Sequence, residues 1–295
     1  DWYKEAMGRA NLSEVIRPVH PEYYLREQDP AAAAGDRELM HNVLRVDPIL
    51  GMAGKEDQRR IELAKALGVS DPTDAPSWRA FLEGAFELAA SGGAVGIKQL
   101  QAYSRDLDFR PVTDQDVPWG GINEGEGNRE FQDWLVNECC RLATERHWPF
   151  QVHTGTHNLP NSNPLPLGKL AARHRGVKFV MLHCWPYIDE TGFLAKYHPN
   201  IYIDPCWLAI LNPRFLAEAL DSWIEYVPSH KIMCSNDATT LEMAVGSSLI
   251  TREIIDGLLK CRAKTLGLDD ITCRRLAVGF LHNNAVDFYG IGTKV

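Results

Sequence analysis

Short, nearly continuous apolar runs alternate along this chain with longer amphipathic stretches. Such alternation is typical of βα units, and strands with continuous apolar runs are usually covered on both faces, as in a parallel sheet. The pattern predicts seven strands, at 14–19, 43–47, 94–98, 150–153, 177–183, 201–204 and 231–235. It predicts helices at 56–67, 76–90, 130–146, 167–175, 190–197 and 213–226, and a helical C-terminal region over 240–290.

Two segments interrupt this alternation, near residues 21–40 and 110–128. Both follow predicted strands, and the second is rich in Gly, Asp and Pro. We interpret them as long loops, which in compact domains often serve as lids or substrate-binding loops. The chain contains no low-complexity linker and no internal repeat, so we expect residues 1–295 to form a single domain.

The composition is that of an ordinary globular protein, with 45% hydrophobic and 24% charged residues. These values argue against a fibre, a coiled coil and a disordered chain. The net charge of −8, without any basic cluster, argues against a nucleic-acid partner. No run approaches the ~18 consecutive apolar residues of a membrane span, so we expect no membrane partner.

Seven scattered cysteines are present, and none of them forms a Cys-x-x-Cys pair. An odd number of dispersed cysteines without a signal peptide indicates reduced thiols, which predicts a cytoplasmic protein. Cys184 and Cys234 lie at strand ends, so a cysteine hydrolase remains an alternative. The sequence lacks the Gly-x-Ser-x-Gly elbow, the phosphate loop and the Gly-x-Gly-x-x-Gly dinucleotide motif.

Titratable side chains lie at or just beyond the ends of several predicted strands. They are Asp47, Lys98, His153, His183, Asp204 and Asp237. In a parallel α/β barrel the carboxyl ends of the strands converge on one mouth, where active sites form. Asp204 precedes Pro205, a pair that often begins a turn, so its role is open to a structural interpretation.

Two histidines on successive strands and an aspartate on the last strand suggest a metal site. Neutral imidazole and carboxylate are suitable ligands for Zn²⁺, so we predict His153, His183 and Asp237 as metal ligands. Asp237 is also predicted to accept a proton from the metal-activated water, and His183 to polarise the carbonyl or act as an acid. His157, in the loop after His153, is a weaker candidate ligand.

Basic and phenolic residues near the same mouth are candidates for binding an anionic substrate. Lys98 is interpreted first as a ligand of a substrate carboxylate, and otherwise as a rim charge or a carbamylated lysine that bridges two metals. Tyr103 and Arg105 follow on the same loop, and arginine is well suited to bidentate carboxylate binding. Arg45 is expected to point into the barrel, where its charge needs a partner such as Asp47.

Six stretches together resemble the amidohydrolase superfamily, and more narrowly its amidohydrolase-2 branch, which includes the barrel domain fused to glutamine synthetase in some fungal and plant proteins. They are VLRVD at 43–47, GIKQLQAYSRDLDF at 96–109, FQVHTGTHNLPNSNPLPL at 150–167, FVMLHCWPYIDETGFLAKYHPNIYID at 179–204, KIMCSNDATTLE at 231–242 and HNNAVDFYG at 282–290. The resemblance therefore covers most of the chain. It implies a (β/α)8 barrel with a metal ion at its mouth, and it leaves open a homo-oligomer.

The resemblance also implies roles for individual residues. His153 matches the family's fifth-strand histidine, a metal ligand, and His183 matches the sixth-strand histidine, a ligand or acid/base. Asp237 matches the eighth-strand aspartate, a ligand and proton acceptor, and Lys98 matches the fourth-strand lysine. A single metal ion is expected, or two if Lys98 is carbamylated.

One family feature is missing, because the sequence contains no His-x-His pair. In the family this pair ends the first strand, and the seven predicted strands correspond to the second to eighth. We therefore expect a (β/α)8 barrel that lacks its first βα unit here, with that unit encoded upstream of Asp1 or, as the alternative, lost from the protein. Without the pair, His153 and Asp237 are few ligands for a tight site.

These features predict a metal-dependent hydrolase that cleaves a C–N bond of a small carboxylate-bearing substrate with a metal-activated water. Within the same superfamily, a non-oxidative decarboxylase is the alternative, and release of CO₂ without an amine would distinguish it. A catalytically inactive barrel that serves as a binding or scaffold module is the alternative from another class, and the missing His-x-His pair favours it.

Overall fold

Six parallel strands form one sheet, in which each strand pairs with the next along the chain. The computed structural model describes residues 2–25, 40–54, 56–122 and 128–295. The strands are β1 Val15–Val19, β2 Met40–Arg45, β3 Ala94–Gln99, β4 Phe150–Thr154, β5 Phe179–His183 and β6 Ile201–Asp204. Helices separate most of them, so the predicted parallel α/β arrangement is confirmed.

The predicted helices between strands are all present, with ends that differ by at most three residues. The α-helices are Trp2–Ala10, Asp47–Leu50, Gln58–Leu67, Ala75–Ser91, Arg129–Arg146, Leu159–Ser162, Leu167–Arg173, Ile188–Tyr197, Leu208–Leu211, Pro213–Trp223, Leu241–Leu266, Asp270–Val278 and Asn284–Tyr289. The C-terminal region is helical as predicted, whereas Trp2–Ala10 was not predicted. Within the described parts of the chain, no helix is both long enough and apolar enough to cross a bilayer.

The two predicted loops are described only in part. Pro21–Leu25 at the start of the first is a short 3₁₀ helix, and residues 26–39 lie outside the described residues. In the second, residues 110–122 contain neither helix nor strand, and residues 123–127 lie outside the described residues.

The sheet separates a large outer core from a smaller inner one. In β5, Phe179 and Met181 belong to the outer core, which lies between the sheet and the helices, while Val180 and Leu182 belong to the inner core. This alternation follows from the two-residue repeat of a strand, whose side chains point to opposite faces. All five residues of β5 are buried, which explains its continuous apolar run.

A bulge in β3 determines which of its side chains face inward. Asn42 of β2 pairs with Ala94, but Leu44 pairs with Ile97, so β3 carries one extra residue across this interval. Such a bulge shifts the alternation by one position. Ile97 consequently packs in the outer core, and Lys98 is turned towards the barrel interior. Gly96 lies within the bulge, where a Cβ atom would come within 2.9 Å of the Pro149 carbonyl oxygen.

The seventh predicted strand forms only a single bridge, between Ile203 and Ile232, rather than a ladder. The Met233 N–H donates to the carbonyl oxygen of Ile203 in β6 at 2.9 Å, but the next two backbone donors bind other acceptors. The Cys234 N–H donates to the carbonyl oxygen of Phe280 at 2.8 Å, and the Ser235 N–H donates to the Asp204 carboxylate at 3.0 Å. The segment therefore lies beside β6, as a strand would, but is held there mainly by side-chain and loop contacts.

The C-terminal segment packs against the inner face of the sheet. Phe288, Tyr289 and Ile291 join the inner core with residues of β2 and β5. The buried Gln151 amide of β4 donates a hydrogen bond to the Tyr289 hydroxyl at 2.6 Å, across the interior. The last helix is thus attached to the centre of the sheet by both apolar and polar contacts.

This attachment predicts that Tyr289→Phe lowers the free energy of unfolding by about 1–3 kcal/mol, because the buried Gln151 amide loses its acceptor. Urea unfolding followed by circular dichroism measures the change. Tyr197→Phe is the matched control, since Tyr197 is 68% exposed and its loss should change the free energy by less than about 0.5 kcal/mol. Equal losses in the two variants would contradict the prediction.

Candidate functional site

The two predicted histidines and the predicted aspartate lie together at the carboxyl end of the sheet. The rings of His153 and His183 are 4.5 Å apart between centroids, and His183 Nε2 lies 3.5 Å from Asp237 Oδ2. Both histidines are only 2% exposed, whereas the Asp237 side chain is 44% exposed. The cluster is therefore buried on its histidine side and open to solvent at the carboxylate.

Backbone geometry at the end of β5 turns His183 towards this cluster. Strict alternation would place His183 on the outer face with Phe179 and Met181. Its φ of 70° takes the residue out of the extended conformation and re-aims its side chain. Non-glycine residues rarely adopt this left-handed region, and such residues occur preferentially at functional sites.

A hydrogen bond fixes which nitrogen of His183 faces Asp237. Nδ1 lies 3.2 Å from the carbonyl oxygen of Cys206, an acceptor that requires the proton to be on Nδ1. Burial lowers the pKa of His183, although the Asp237 carboxylate opposes the shift. In the neutral ring, the lone pair of Nε2 therefore faces the Asp237 carboxylate. Two acceptors at this distance repel each other unless a cation lies between them.

His153 offers a further unpaired donor atom. Its Nδ1 is buried and lacks a hydrogen-bond partner among the residues that the structure describes. Its Nε2 lies 3.3 Å from the Thr156 hydroxyl. Burial, together with the neighbouring His183 and Lys98, holds the pKa of His153 well below its ordinary value, so the ring is neutral. Because neutral imidazole is the form that binds metals, the residues of this cluster fit a divalent metal such as Zn²⁺.

Cys206 is a member of the cluster that the sequence did not reveal. Its Sγ lies 3.4 Å from His183 Nδ1, and the ligand atoms of His183, Cys206 and Asp237 all lie within 4.8 Å of one another. The sequence signal was weak, because a cysteine beside apolar residues usually belongs to the core. Its position two residues beyond β6, at the same edge as the histidines, was the usable clue.

Three of the four predicted substrate-binding residues lie near the cluster. Lys98 is 6% exposed, and its charge acts on both histidines. The Tyr103 ring lies 4.7 Å from that of His153, and burial raises the pKa of Tyr103, with a further contribution from Asp237. Arg45 pairs with Asp47 through two hydrogen bonds, as the sequence predicts, and its charge acts on Tyr103.

The structure places Arg105 elsewhere. Its guanidinium lies 2.7 Å from the buried carboxylate of Asp133 and donates to the carbonyl oxygens of Asp106 and Asp108. It also lies over the Phe109 ring, at 4.7 Å from the centroid. These contacts tie the loop after β3 to the helix Arg129–Arg146, so Arg105 serves the scaffold in this structure and does not join the cluster.

Aromatic rings extend from the cluster towards solvent. His157, the weaker candidate ligand, lies between Tyr103 and Trp207, with centroid distances of 4.7 Å and 5.9 Å. His157 and Trp207 are nearly parallel, at 17°. His157 thus forms part of a flat aromatic wall beside the cluster.

Gly155 positions the loop between His153 and His157. Its φ is 65°, and a Cβ atom there would lie 2.1 Å from the carbonyl oxygen of Trp185. The next residue, Thr156, donates its N–H to that same oxygen at 2.8 Å. The loop after β4 is therefore fixed against the loop after β5, and only glycine fits at the contact.

Comparison with known proteins gives a family match. Residues 58–237, more than half of the chain, match the family model described as Amidohydrolase. Protein fluG of Emericella nidulans is 31% identical over 177 residues, which cover 51% of this chain. The match spans only 20% of the length of that relative.

Solved structures share the fold. A metal-dependent hydrolase from Lactobacillus casei has a TM-score of 0.76 at 20% identity, covering 98% of this chain and 76% of its own. Uronate isomerases from Thermotoga maritima and Bacillus halodurans have TM-scores of 0.78 and 0.72 at 12% and 18% identity. They cover 97% and 99% of this chain, and each match spans 69% of the isomerase. These similarities confirm the predicted α/β barrel.

The tight contact at Gly155 predicts that Gly155→Ala lowers the free energy of unfolding by about 2–5 kcal/mol, the sum of left-handed strain and overpacking. Gly93→Ala is a matched control, because Gly93 has a φ of 78° but nothing within 4 Å of its Cβ position. Gly93→Ala should lower the free energy of unfolding by about 1–2 kcal/mol. Urea unfolding measures both, and an equal effect would contradict the steric argument.

Proposed function

The chain belongs to the amidohydrolase family, and from this premise we propose that it is a metal-dependent hydrolase that cleaves a C–N bond of a small carboxylate-bearing substrate. The observation that carries the proposal is the pairing of His183 Nε2 with Asp237 Oδ2 at 3.5 Å, two acceptors that a cation would hold together. The buried Nδ1 of His153, which has no hydrogen-bond partner among the described residues, is a third candidate donor, on a ring 4.5 Å from that of His183. Zn²⁺ is the metal that best matches imidazole and carboxylate donors.

His153, His183 and Asp237 would hold one metal ion. A bound Zn²⁺ lowers the pKa of its water towards ~7 and polarises a carbonyl oxygen. Asp237 accepts the proton of the attacking water and returns it to the leaving nitrogen, because its carboxylate is the solvent-accessible member of the cluster. His183, whose Nδ1 donates to the Cys206 carbonyl, would bind the metal through Nε2.

The substrate is held by the groups around the cluster. The charge of Lys98 acts on both histidines, and it would bind a substrate carboxylate. Tyr103 and Arg45 orient the rest of the substrate from the rim. Arg105 has no part in this proposal, since its guanidinium is bound to Asp133.

One observation favours a second candidate, a catalytically inactive barrel that binds a partner or ligand. The sequence has no His-x-His pair, so two metal ligands that the resemblance implies are missing from this chain. Metal binding distinguishes the two candidates.

Metal analysis tests the proposed centre. The purified chain, loaded with Zn²⁺ and dialysed, should retain about one ion per chain, and His153→Ala should bind Zn²⁺ at least about tenfold more weakly, roughly 1.4 kcal/mol. His230→Ala is the control, since His230 is exposed and precedes the 231–235 segment, at the opposite end from Asp237. A wild-type chain that retains no metal, or a His153→Ala chain that binds as well, would contradict the proposal.

Substrate binding tests the role of Lys98. A panel of N-acyl amino acids and the corresponding N-acyl amino acid amides compares substrates with and without a carboxylate. Lys98→Met should raise KM for the acids by about tenfold, with a smaller change in kcat, because a charge-assisted hydrogen bond is lost. For the amides the KM should stay unchanged. Release of CO₂ instead of amine would favour the decarboxylase alternative, and equal changes in both series would exclude Lys98 as the carboxylate ligand.

A further inference from the structure

The loop that follows β6 brings a thiol into the predicted metal centre. Cys206 is 2% exposed, and its Sγ lies within 4.8 Å of the ligand atoms of His183 and Asp237. We propose that Cys206 supplies a thiolate ligand to the metal ion, so that the centre contains nitrogen, oxygen and sulphur donors. The proposal rests on the metal-dependent function proposed above and specifies its ligand set.

Two hydrogen-bonded ties hold Cys206 beside Asp237. Asp204 accepts hydrogen bonds from the N–H and hydroxyl groups of Ser235 at 3.0 Å and 2.7 Å. The Trp207 N–H donates to the carbonyl oxygen of Asn236 at 2.9 Å. Cys206 lies between Asp204 and Trp207 on one segment, and Asp237 directly follows Asn236 on the other. The backbone therefore fixes the spacing of the two donors, independently of any contact between their side chains.

Both Trp207 and Asp237 have left-handed backbones, with φ values of 70° and 48°. Such conformations are costly for non-glycine residues and persist only where surrounding contacts enforce them. Here they turn the chain sharply just after Cys206 and at Asp237 itself. These turns lie where the side chains of Cys206 and Asp237 approach His183.

A second observation points to a ligand beside His183. His153 is 2% exposed, its ring lies 4.5 Å from that of His183, and its Nδ1 has no partner in the described part of the chain. A buried polar atom without a partner is destabilising, and a bound metal would relieve that cost. Cys206 thus completes, with His183 and Asp237, a set of sulphur, nitrogen and oxygen donors that lie within 4.8 Å of one another.

A thiolate ligand changes which metals the centre selects. Thiolate donors favour Zn²⁺ and softer ions, whereas carboxylate and water suit Mg²⁺ and Mn²⁺. Binding releases the thiol proton to solvent, so the bond that forms is metal–sulphur and the bond that breaks is S–H. We therefore expect the chain to prefer Zn²⁺ to Mn²⁺, and Cys206→Ser to reduce that preference at least tenfold.

Cobalt substitution tests the ligand directly. Wild-type chain titrated with Co²⁺ should develop a near-ultraviolet thiolate-to-cobalt charge-transfer band that saturates at about one equivalent. Cys206→Ser should bind Co²⁺ without the band, whereas Cys234→Ser, a buried neighbour, and Cys261→Ser, an exposed thiol, should keep it. A wild-type chain that binds Co²⁺ without the band, or a band that persists in Cys206→Ser, overturns the proposal but leaves the metal-dependent function intact.

X-ray absorption on the zinc-loaded wild-type chain needs no variant, so a failure of Cys206→Ser to fold does not affect it. One sulphur neighbour at about 2.3 Å supports the proposal, and a shell of nitrogen and oxygen alone at about 2.0–2.2 Å overturns it. Failure of the wild-type chain to bind either Co²⁺ or Zn²⁺ would refute the proposed function as well, so the two failures are distinguishable.

Discussion

The buried carboxylate of Asp204 joins two segments that backbone pairing alone does not hold together. Burial raises the pKa of Asp204, and its two hydrogen bonds from Ser235 oppose that shift. Removing a carboxylate from water costs several kcal/mol, and hydrogen bonds to a charged acceptor return about 1.5–3 kcal/mol each. This contact supplements the single backbone bridge between β6 and residues 231–235, and it helps to position Asp237 for the cluster.

The remaining members of the cluster depend on local departures from regular strand geometry. The bulge in β3 turns Lys98 inward, and the left-handed backbone of His183 turns its ring away from the outer core. Gly155 permits the close contact that fixes the loop after β4. A regular parallel sheet would place the same residues at the same edge but would point several of them in other directions. The cost of these departures is met by the dense packing of β4 and β5, in which every residue is buried.

The sequence predicted the helices and strands well because burial of these elements leaves a recognisable pattern of apolar residues. Continuous apolar runs predicted β1 to β6, and residue types at strand ends predicted His153, His183 and Asp237. This pattern was insufficient where the position of a side chain depends on a partner that is distant in sequence. Arg105 follows Lys98 and Tyr103 in sequence, yet it binds Asp133 on a helix that begins beyond the loop.

Similar reasons explain the other differences from prediction. The segment 231–235 has the composition of a strand, but the backbone donors of Cys234 and Ser235 bind a helical carbonyl and a side chain that periodicity cannot reveal. Cys206 is indistinguishable in sequence from a core cysteine, since its neighbours are apolar. The bulge in β3 left only one hint, the glycine at position 96.

The balance of charge explains why a second anionic ligand would matter here. His153 and His183 are neutral, so Asp237 alone would offset a divalent ion, while the buried ammonium of Lys98 adds a further positive charge nearby. Like charges interact strongly in a poorly hydrated site. A thiolate at Cys206 would bring the negative charge of the ligands to the two units of the metal. Lys98 would then be the remaining cation of the site, matched to a substrate carboxylate.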